Sequence, residues 1–194
     1  MKKVNVMLAA VAMLGAVQAF AQTRPFEGLS LGANLDFDHG SLSASDGSSS
    51  TGNSTRMGLQ ARYDWALGEQ FLLGVGATVG TGQRAAGSYA TAQTAAYTKN
   101  CYALDLMPGY VLDPQLMVYG KVSALSASAA SDDGSSNATV HGTAYGIGLR
   151  GLMDSHSYWQ VGLDKQHLHD VSFSTGTTAA FTNDVLSVGV GYKF

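Results

Sequence analysis

The chain has little charge, cysteine or proline for its 194 residues. Charged residues make up 13% of it, against about 25% in a typical soluble protein. Its one cysteine, Cys101, excludes an intramolecular disulfide and a cysteine-rich metal site. No basic cluster is present, so nucleic acid is not an expected partner. After residue 21, no run is long and apolar enough for a membrane-spanning helix.

The first 21 residues are predicted to be a secretory signal peptide. Two lysines precede an apolar run from about Val4 to Val17, and small residues at Ala19 and Ala21 favour cleavage after Ala21. A membrane anchor is the alternative, but the run is shorter than the ~20 residues that a spanning helix needs. The predicted mature domain is residues 22–194, with 14 acidic and, after removal of Lys2 and Lys3, 9 basic residues.

The mature chain alternates between apolar and polar or small residues. Leu29, Leu31, Ala33, Leu35 and Phe37 share one face of the first such segment, which is the period of a β-strand. The same pattern recurs seven times. The segments lie at about 27–40, 55–67, 71–82, 101–112, 116–127, 139–152, 157–168 and 184–194.

The connections between these strands alternate in length. Tight turns follow the second, fourth and sixth strands, and longer stretches rich in Ser, Gly, Ala and Thr follow the first, third, fifth and seventh. These stretches lack the apolar residues to form a core, so they are predicted to be loops. Short turns at one end and long loops at the other are typical of an outer-membrane barrel.

The distribution of large residues indicates which face points outward. Eight strands enclose a space only wide enough for side chains, and the leucines, valines and tryptophans of the apolar face would overfill it. The small and polar face therefore fits inside, and the apolar face points to lipid. A closed barrel pairs all of its backbone groups where no water is available. The sequence predicts an all-β fold, an eight-stranded antiparallel up-and-down transmembrane barrel.

Aromatic residues cluster beside the predicted short turns. They are expected to form an interfacial girdle, which consists of Trp65, Phe71, Tyr110, Trp159, Tyr192 and Phe194. By the loop-length rule this end, with both termini, is periplasmic. On the last strand the residues predicted to face outward are Leu186, Val188, Val190, Tyr192 and Phe194. This ending resembles the C-terminal signature that the barrel-assembly machinery reads in bacterial outer-membrane proteins.

The whole mature chain resembles the small outer-membrane barrels of the OmpA-transmembrane-domain and OmpX-like superfamily. The likeness is clearest at Gly109–Tyr110, in the turn 113–115, and at Tyr119 with Lys121. It implies a monomer in the outer membrane of a Gram-negative bacterium, with a structural, adhesive or resistance role. The implied partners are lipopolysaccharide and other outer-membrane lipid, the assembly machinery and periplasmic chaperones during biogenesis, and an unknown extracellular ligand. No cofactor is expected.

Seven charged residues are predicted to face the lumen. They are Asp36, Arg62, Asp64, Asp105, Lys121, Arg150 and Asp164, of which Lys121 is placed inward by the resemblance. Isolated buried charges would cost several kcal/mol each, so a neutralising network is expected. Two interpretations remain: a plug that closes the pore and fixes the strand register, or polar filling with bridging water.

The sequence offers few candidates for chemistry. His167 and His169 could share a metal ion, although exposed rim histidines are the simpler interpretation. With Ser172 they invite comparison with the lipid A deacylases, but the His-x-Ser spacing of that family is absent. The alternatives to a surface role are thus a small pore and, less favoured, a lipid A-modifying enzyme.

Overall fold

The computed structural model describes residues 25–44, 49–88, 95–131, 137–172 and 178–194. At several strand ends it describes the backbone alone; these are 42–44, 49–50, 83–88, 95–97, 129–131, 137–138, 169–172 and 178–181, with Asn100 as a single further position. The predicted signal peptide lies outside the described residues. Within them, no helix is long and apolar enough to cross a membrane.

Eight antiparallel strands form a closed barrel in sequence order, which confirms the predicted fold. The last strand pairs with the first, so each strand has two neighbours. The strands are β1 Gly28–Ala44, β2 Ser49–Ala66, β3 Phe71–Ser88, β4 Ala95–Asp113, β5 Leu116–Ser131, β6 Asn137–Leu152, β7 Ser157–Ser172 and β8 Thr178–Lys193. We call the end with the β2–β3, β4–β5 and β6–β7 connections the short-turn end, and the opposite end the loop end.

The strands extend farther into the loop end than the sequence predicted. They contain 16 to 19 residues, whereas a tilted strand needs only ~9–11 to cross the hydrocarbon layer. Most of the Ser- and Gly-rich stretches predicted as loops continue the β-ladder, for example at Ser43↔Ser49. Their polar composition fits strands that are wetted on both faces, because such strands need no apolar core.

The strands of the barrel are staggered, and one circuit of paired residues returns to the first strand ten residues from its start, which is a shear of ten. Following paired residues around the barrel from His39 of β1 returns to β1 at Leu29; the path runs through Asp184, Lys165, Tyr145, Val122, Leu106, Val75 and Tyr63. A sheared barrel has strands that tilt by roughly 35–45° from its axis. With strands about 4.7 Å apart, each step along this path descends roughly 3 Å toward the short-turn end.

Two ladders end before the others at the loop end. The β2–β3 ladder stops at Met57↔Thr81 and the β6–β7 ladder at Gly142↔Leu168, although the strands themselves continue. Each break coincides with an irregularity. The β3 strand has a register shift after Gly80 and a positive φ of 90° at Gly82, and β7 has a register shift after Leu168. We call these two breaks the seams.

Candidate functional site

The apolar face points outward, as the alternation predicts. Leu35, Leu59, Leu104 and Ile147 expose 46%, 61%, 69% and 65% of their surfaces. On β1 the outward apolar run spans Leu29–Phe37. These nine residues match the ~9–11 needed to cross the hydrocarbon layer. In water such a surface would aggregate, so it identifies the lipid-facing wall.

The six predicted girdle residues lie at the short-turn end. Five of them are exposed, namely Trp65, Phe71, Trp159, Tyr192 and Phe194, and Tyr110 is half-buried. The Phe71 and Tyr110 rings meet edge to face at 5.0 Å, and the Tyr110 hydroxyl donates a hydrogen bond to Gln70 at 2.8 Å. An apolar ring with a hydrogen-bonded polar tip suits a membrane–water interface.

The C-terminal residues close the barrel. The predicted assembly signal lies on the outer face of β8, where Leu186, Val188, Val190, Tyr192 and Phe194 are exposed. The Phe194 amide donates a hydrogen bond to the Leu29 carbonyl at 2.9 Å, so the last residue is held against β1. Recognition of this ending by the assembly machinery stays a prediction.

All seven predicted lumen charges are inside the barrel. The charge cluster nearest the short-turn end consists of two arginines and one carboxylate. Asp64 Oδ1 accepts a hydrogen bond from Arg62 Nε at 2.8 Å and lies 2.6 Å from Arg62 Nη2 in an ion pair, and Asp64 Oδ2 lies 3.5 Å from Arg150 Nη1. Each guanidinium also lies over a tyrosine ring, Arg62 over Tyr119 and Arg150 over Tyr158. The cluster carries one net positive charge and is almost completely buried.

Polar side chains continue this network across the middle of the lumen. Arg150 donates to Gln160 at 2.9 Å, and Gln160 donates to Asn34 at 2.7 Å and to Gln60 at 3.1 Å. The Gln60 amide donates in turn to Thr78 at 3.3 Å. These amides connect strands on opposite sides of the barrel, so they fill the lumen beside its inward-facing glycines.

Asp105 and Asp164 are held in different ways. Thr78 and Ser123 donate hydrogen bonds to the two Asp105 oxygens, at 2.7 and 2.6 Å. Lys121 forms an ion pair with Asp164. The Lys121 side chain therefore points into the lumen.

The upper lumen contains two charged residues that the sequence analysis did not include. Arg56 lies 2.8 Å from Asp38 and 3.2 Å from Asp36, and all three are buried. Ser187 donates a further hydrogen bond to Asp36 at 2.8 Å. The two-residue alternation of a strand would have identified this pair. Arg56 is on the same face of its strand as Gly58 and Arg62, and Asp38 is on the same face as Asp36.

An apolar cluster inside the short-turn end was also missed. It consists of Phe26, Leu72, Met107, Met117 and Tyr119, with Ala66, Val111 and Leu152 packed against it. Arg62 donates to the Met107 sulfur at 3.2 Å, so the charge cluster nearest the short-turn end rests directly on these residues. No sequence signal marked Phe26, because it precedes the first strand.

The described part of the lumen contains a small cavity. This cavity of about 60 Å³ lies above Gln60 and Gln160, and its walls include Asp36, Arg56 and Lys121. One buried water molecule needs ~10–15 Å³ of such space, so the cavity has room for a few water molecules. Where the structure describes the lumen, charge, amides and apolar side chains thus occupy most of its length.

The rim histidines do not form a recognisable site. His167 is exposed on the outer face, where its ring stacks on Tyr145 at 5.8 Å. The side chains of His169 and Ser172 lie outside the described residues. In the part of the chain that is described, no three His, Cys, Asp or Glu side chains come together as metal ligands.

The comparisons with known proteins agree with this architecture. The family model described as outer membrane protein beta-barrel domain matches residues 7–194. The chain belongs to this family. The predicted family and the outer-membrane location are thereby confirmed. No curated protein is significantly similar to this outer-membrane barrel in sequence.

Solved structures of other outer-membrane proteins are similar to it at low identity. Ail, the attachment invasion locus protein of Yersinia pestis, is 15% identical with a TM-score of 0.50, and the match covers 86% of this chain and 99% of Ail. Neisserial surface protein A is 17% identical with a TM-score of 0.48, covering 87% and 100%. OprG of Pseudomonas aeruginosa is 15% identical with a TM-score of 0.45, covering 87% and 96%.

Proposed function

We propose that the protein is a monomeric, non-conducting barrel that acts through the surface at its loop end, in adhesion or in resistance to external factors. The occupied lumen carries this proposal. In this proposal, the charged residues from Arg56 to Arg62 and the apolar cluster beside the short turns act as a plug against solutes in the described part of the lumen. The surface beyond the membrane is then the part of the molecule left for function.

The strand extensions support a surface role. Strands of 16 to 19 residues against an apolar run of nine place long hydrogen-bonded segments beyond the lipid. We assign the loop end to the exterior because outer-membrane barrels have short periplasmic turns and longer external loops. Ail is named as an attachment protein, and attachment is the first activity to test.

Conductance in planar bilayers tests the plug. The wild-type protein is expected to give no channel steps, whereas Arg62→Ala or Lys121→Gln should raise conductance. Lys165→Gln is the matched control, because it removes the same charge as Lys121→Gln but from the outer surface. Steady channels from the wild-type protein would favour the pore alternative, and unchanged conductance in the two lumen variants would leave those residues as polar filling.

Attachment is tested on a non-adherent Gram-negative host that expresses the protein. Replacing residues 45–48, 89–94, 132–136 and 173–177 with Gly-Ser segments of equal length should abolish binding to host cells or matrix proteins. Replacing the short turn at 67–70 in the same way is the control and should leave binding intact. Binding that survives every loop replacement would contradict the proposal. Mass spectrometry of lipid A with and without the protein separates the enzyme alternative.

Orientation has its own test in intact cells. In a Cys101→Ser background, Gly68→Cys places a thiol in a short turn where a side chain would meet no atom within 4 Å. A membrane-impermeant maleimide should label it only after the outer membrane is opened. Labelling in intact cells would reverse the proposed orientation.

A further inference from the structure

One region of the lipid-facing wall carries charge at the edge of the apolar band. Lys165 of β7 and Asp184 of β8 are directly paired, with Nζ 3.0 Å from Oδ1, and both point outward, with 42% and 60% of their side chains exposed. On β7 the outward apolar residues end at Leu163, earlier than on β1, where they reach Phe37. Lys165 is two strands from His39 along the path of paired residues, so it lies roughly 6 Å closer to the short-turn end than His39 does.

The pair lies at the upper edge of an apolar groove. The groove has a volume of about 840 Å³, and its lower walls are formed by Phe37, Val122, Ile147, Leu163 and Leu186. Its depth comes from β5, where Gly120 contributes no side chain to the outer face and lies beside Pro108. An apolar groove with charged groups at one end has the polarity of a single lipid molecule.

Further polar and aromatic groups surround the pair. Tyr145 is the residue opposite Lys165 on β6, and its ring stacks on His167 with an interplanar angle of 23°. On the other side, Asp184 is opposite His39, whose Nδ1 lies 2.7 Å from the Asn53 amide oxygen. The site therefore contains the Lys165 ammonium, the Asp184 carboxylate and the stacked Tyr145 and His167 rings on adjacent strands.

We infer that this groove binds one phosphorylated glycolipid of the outer leaflet. The Lys165 ammonium donates to the phosphate, and sugar hydroxyl groups donate to the Asp184 carboxylate. The Tyr145–His167 pair packs against the sugar ring, and the acyl chains lie along the groove over Gly120. A plain phospholipid phosphate fits less well, because it would meet the Asp184 carboxylate without hydroxyl groups to satisfy it.

The position of the charges supports this assignment. A charged side chain on the lipid face of a barrel is destabilising at the membrane centre and costs little near the interface. At the upper edge of the band, Lys165 and Asp184 sit where headgroups replace acyl chains. This step rests on the proposed orientation, since only an external loop end brings the groove to the outer leaflet.

Native mass spectrometry of the purified full-length protein tests the site. The protein is incubated in detergent with bisphosphorylated lipid A, with lipid A lacking both phosphates, or with phosphatidic acid, which has a phosphate but no headgroup alcohol. The wild-type protein is expected to retain one bisphosphorylated lipid A and at least tenfold less of the other two. Lys165→Gln and Asp184→Asn should each reduce this retention at least tenfold, and Lys165→Arg should preserve it.

Thr81→Ala, at the loop-end edge of β3, is the matched control and should retain lipid A normally. Unboiled gel mobility shows that each variant is folded. Equal retention in the wild-type protein and Lys165→Gln would overturn the inference. Equal retention of phosphatidic acid and lipid A would also overturn it, since the site would then recognise a lipid phosphate without any sugar hydroxyl groups. Binding in detergent does not depend on orientation or conductance, so failure here is distinct from failure of the proposed function.

Discussion

Removing the Asp64 carboxylate should destabilise the barrel more than any other single change in the lumen. Asp64 is 1% exposed and pairs with Arg62 at 2.6 Å and with Arg150 at 3.5 Å. Without it, two buried guanidinium groups lose their counter-ion. Breaking a buried pair by removing one partner costs about 3–5 kcal/mol. We therefore expect Asp64→Ala to lower the free energy of unfolding by that amount.

Urea-induced unfolding in lipid vesicles measures this change. Trp65 and Trp159 are exposed on the lipid face, so their fluorescence reports extraction of the barrel from the membrane. The double variant Arg62→Ala/Asp64→Ala should cost less than the sum of the two single variants, because removing both partners leaves fewer uncompensated charges. A loss below about 1 kcal/mol for Asp64→Ala would refute the reasoning, since it would show that water screens the cluster as at a surface.

Three further predictions concern packing, pH and assembly. Gly148→Ala should destabilise the fold by about 1–3 kcal/mol, because the added Cβ would meet the Tyr119 ring and lie 2.7 Å from a backbone carbonyl; Gly68→Ala meets nothing and should be neutral in the same urea assay. The Asp154 pKa is lowered from 3.8 by backbone hydrogen bonds from the following turn residues. The stabilisation of the turn by the Asp154 carboxylate is therefore complete above pH ~4, and it is lost as the pH falls through the lowered pKa. Amide hydrogen exchange in the turn should show this pH dependence in the wild-type protein and not in Asp154→Asn. Phe194→Ser should reduce the amount of barrel in the outer membrane of cells while leaving refolding into detergent intact, and equal amounts in cells would contradict the assembly signal.

Much of the architecture could be predicted from the alternation of apolar and polar residues along each strand. Alternation assigned Leu35 and Leu59 to lipid and Arg62 and Asp105 to the lumen, because a two-residue period leaves only two faces. The same rule covers Arg56, which lies within the predicted strand at 55–67 but was not included among the lumen charges. The alternation did not set the strand ends, since Ser- and Gly-rich stretches look alike as loops and as solvated strands.

Contacts across the lumen required the three-dimensional register. Gln160 reaches Asn34 across 126 residues of sequence, and this contact depends on a shear that no local pattern encodes. The same is true of the groove beside Lys165, whose walls come from strands far apart in sequence. Phe26 was missed for another reason, because a residue before the first strand has no period to place it.

The two seams divide the loop end into two four-stranded leaves, β7-β8-β1-β2 and β3-β4-β5-β6. Above Met57↔Thr81 and Gly142↔Leu168 the leaves share no ladder hydrogen bonds along the described residues. They can separate or approach without breaking ladder hydrogen bonds between described residues, whereas eight ladders close the barrel nearer the short-turn end. In the proposed orientation, the external part of the molecule thus consists of two four-stranded leaves on a closed barrel, and the distance between the leaves can change while the membrane-embedded part keeps one shape.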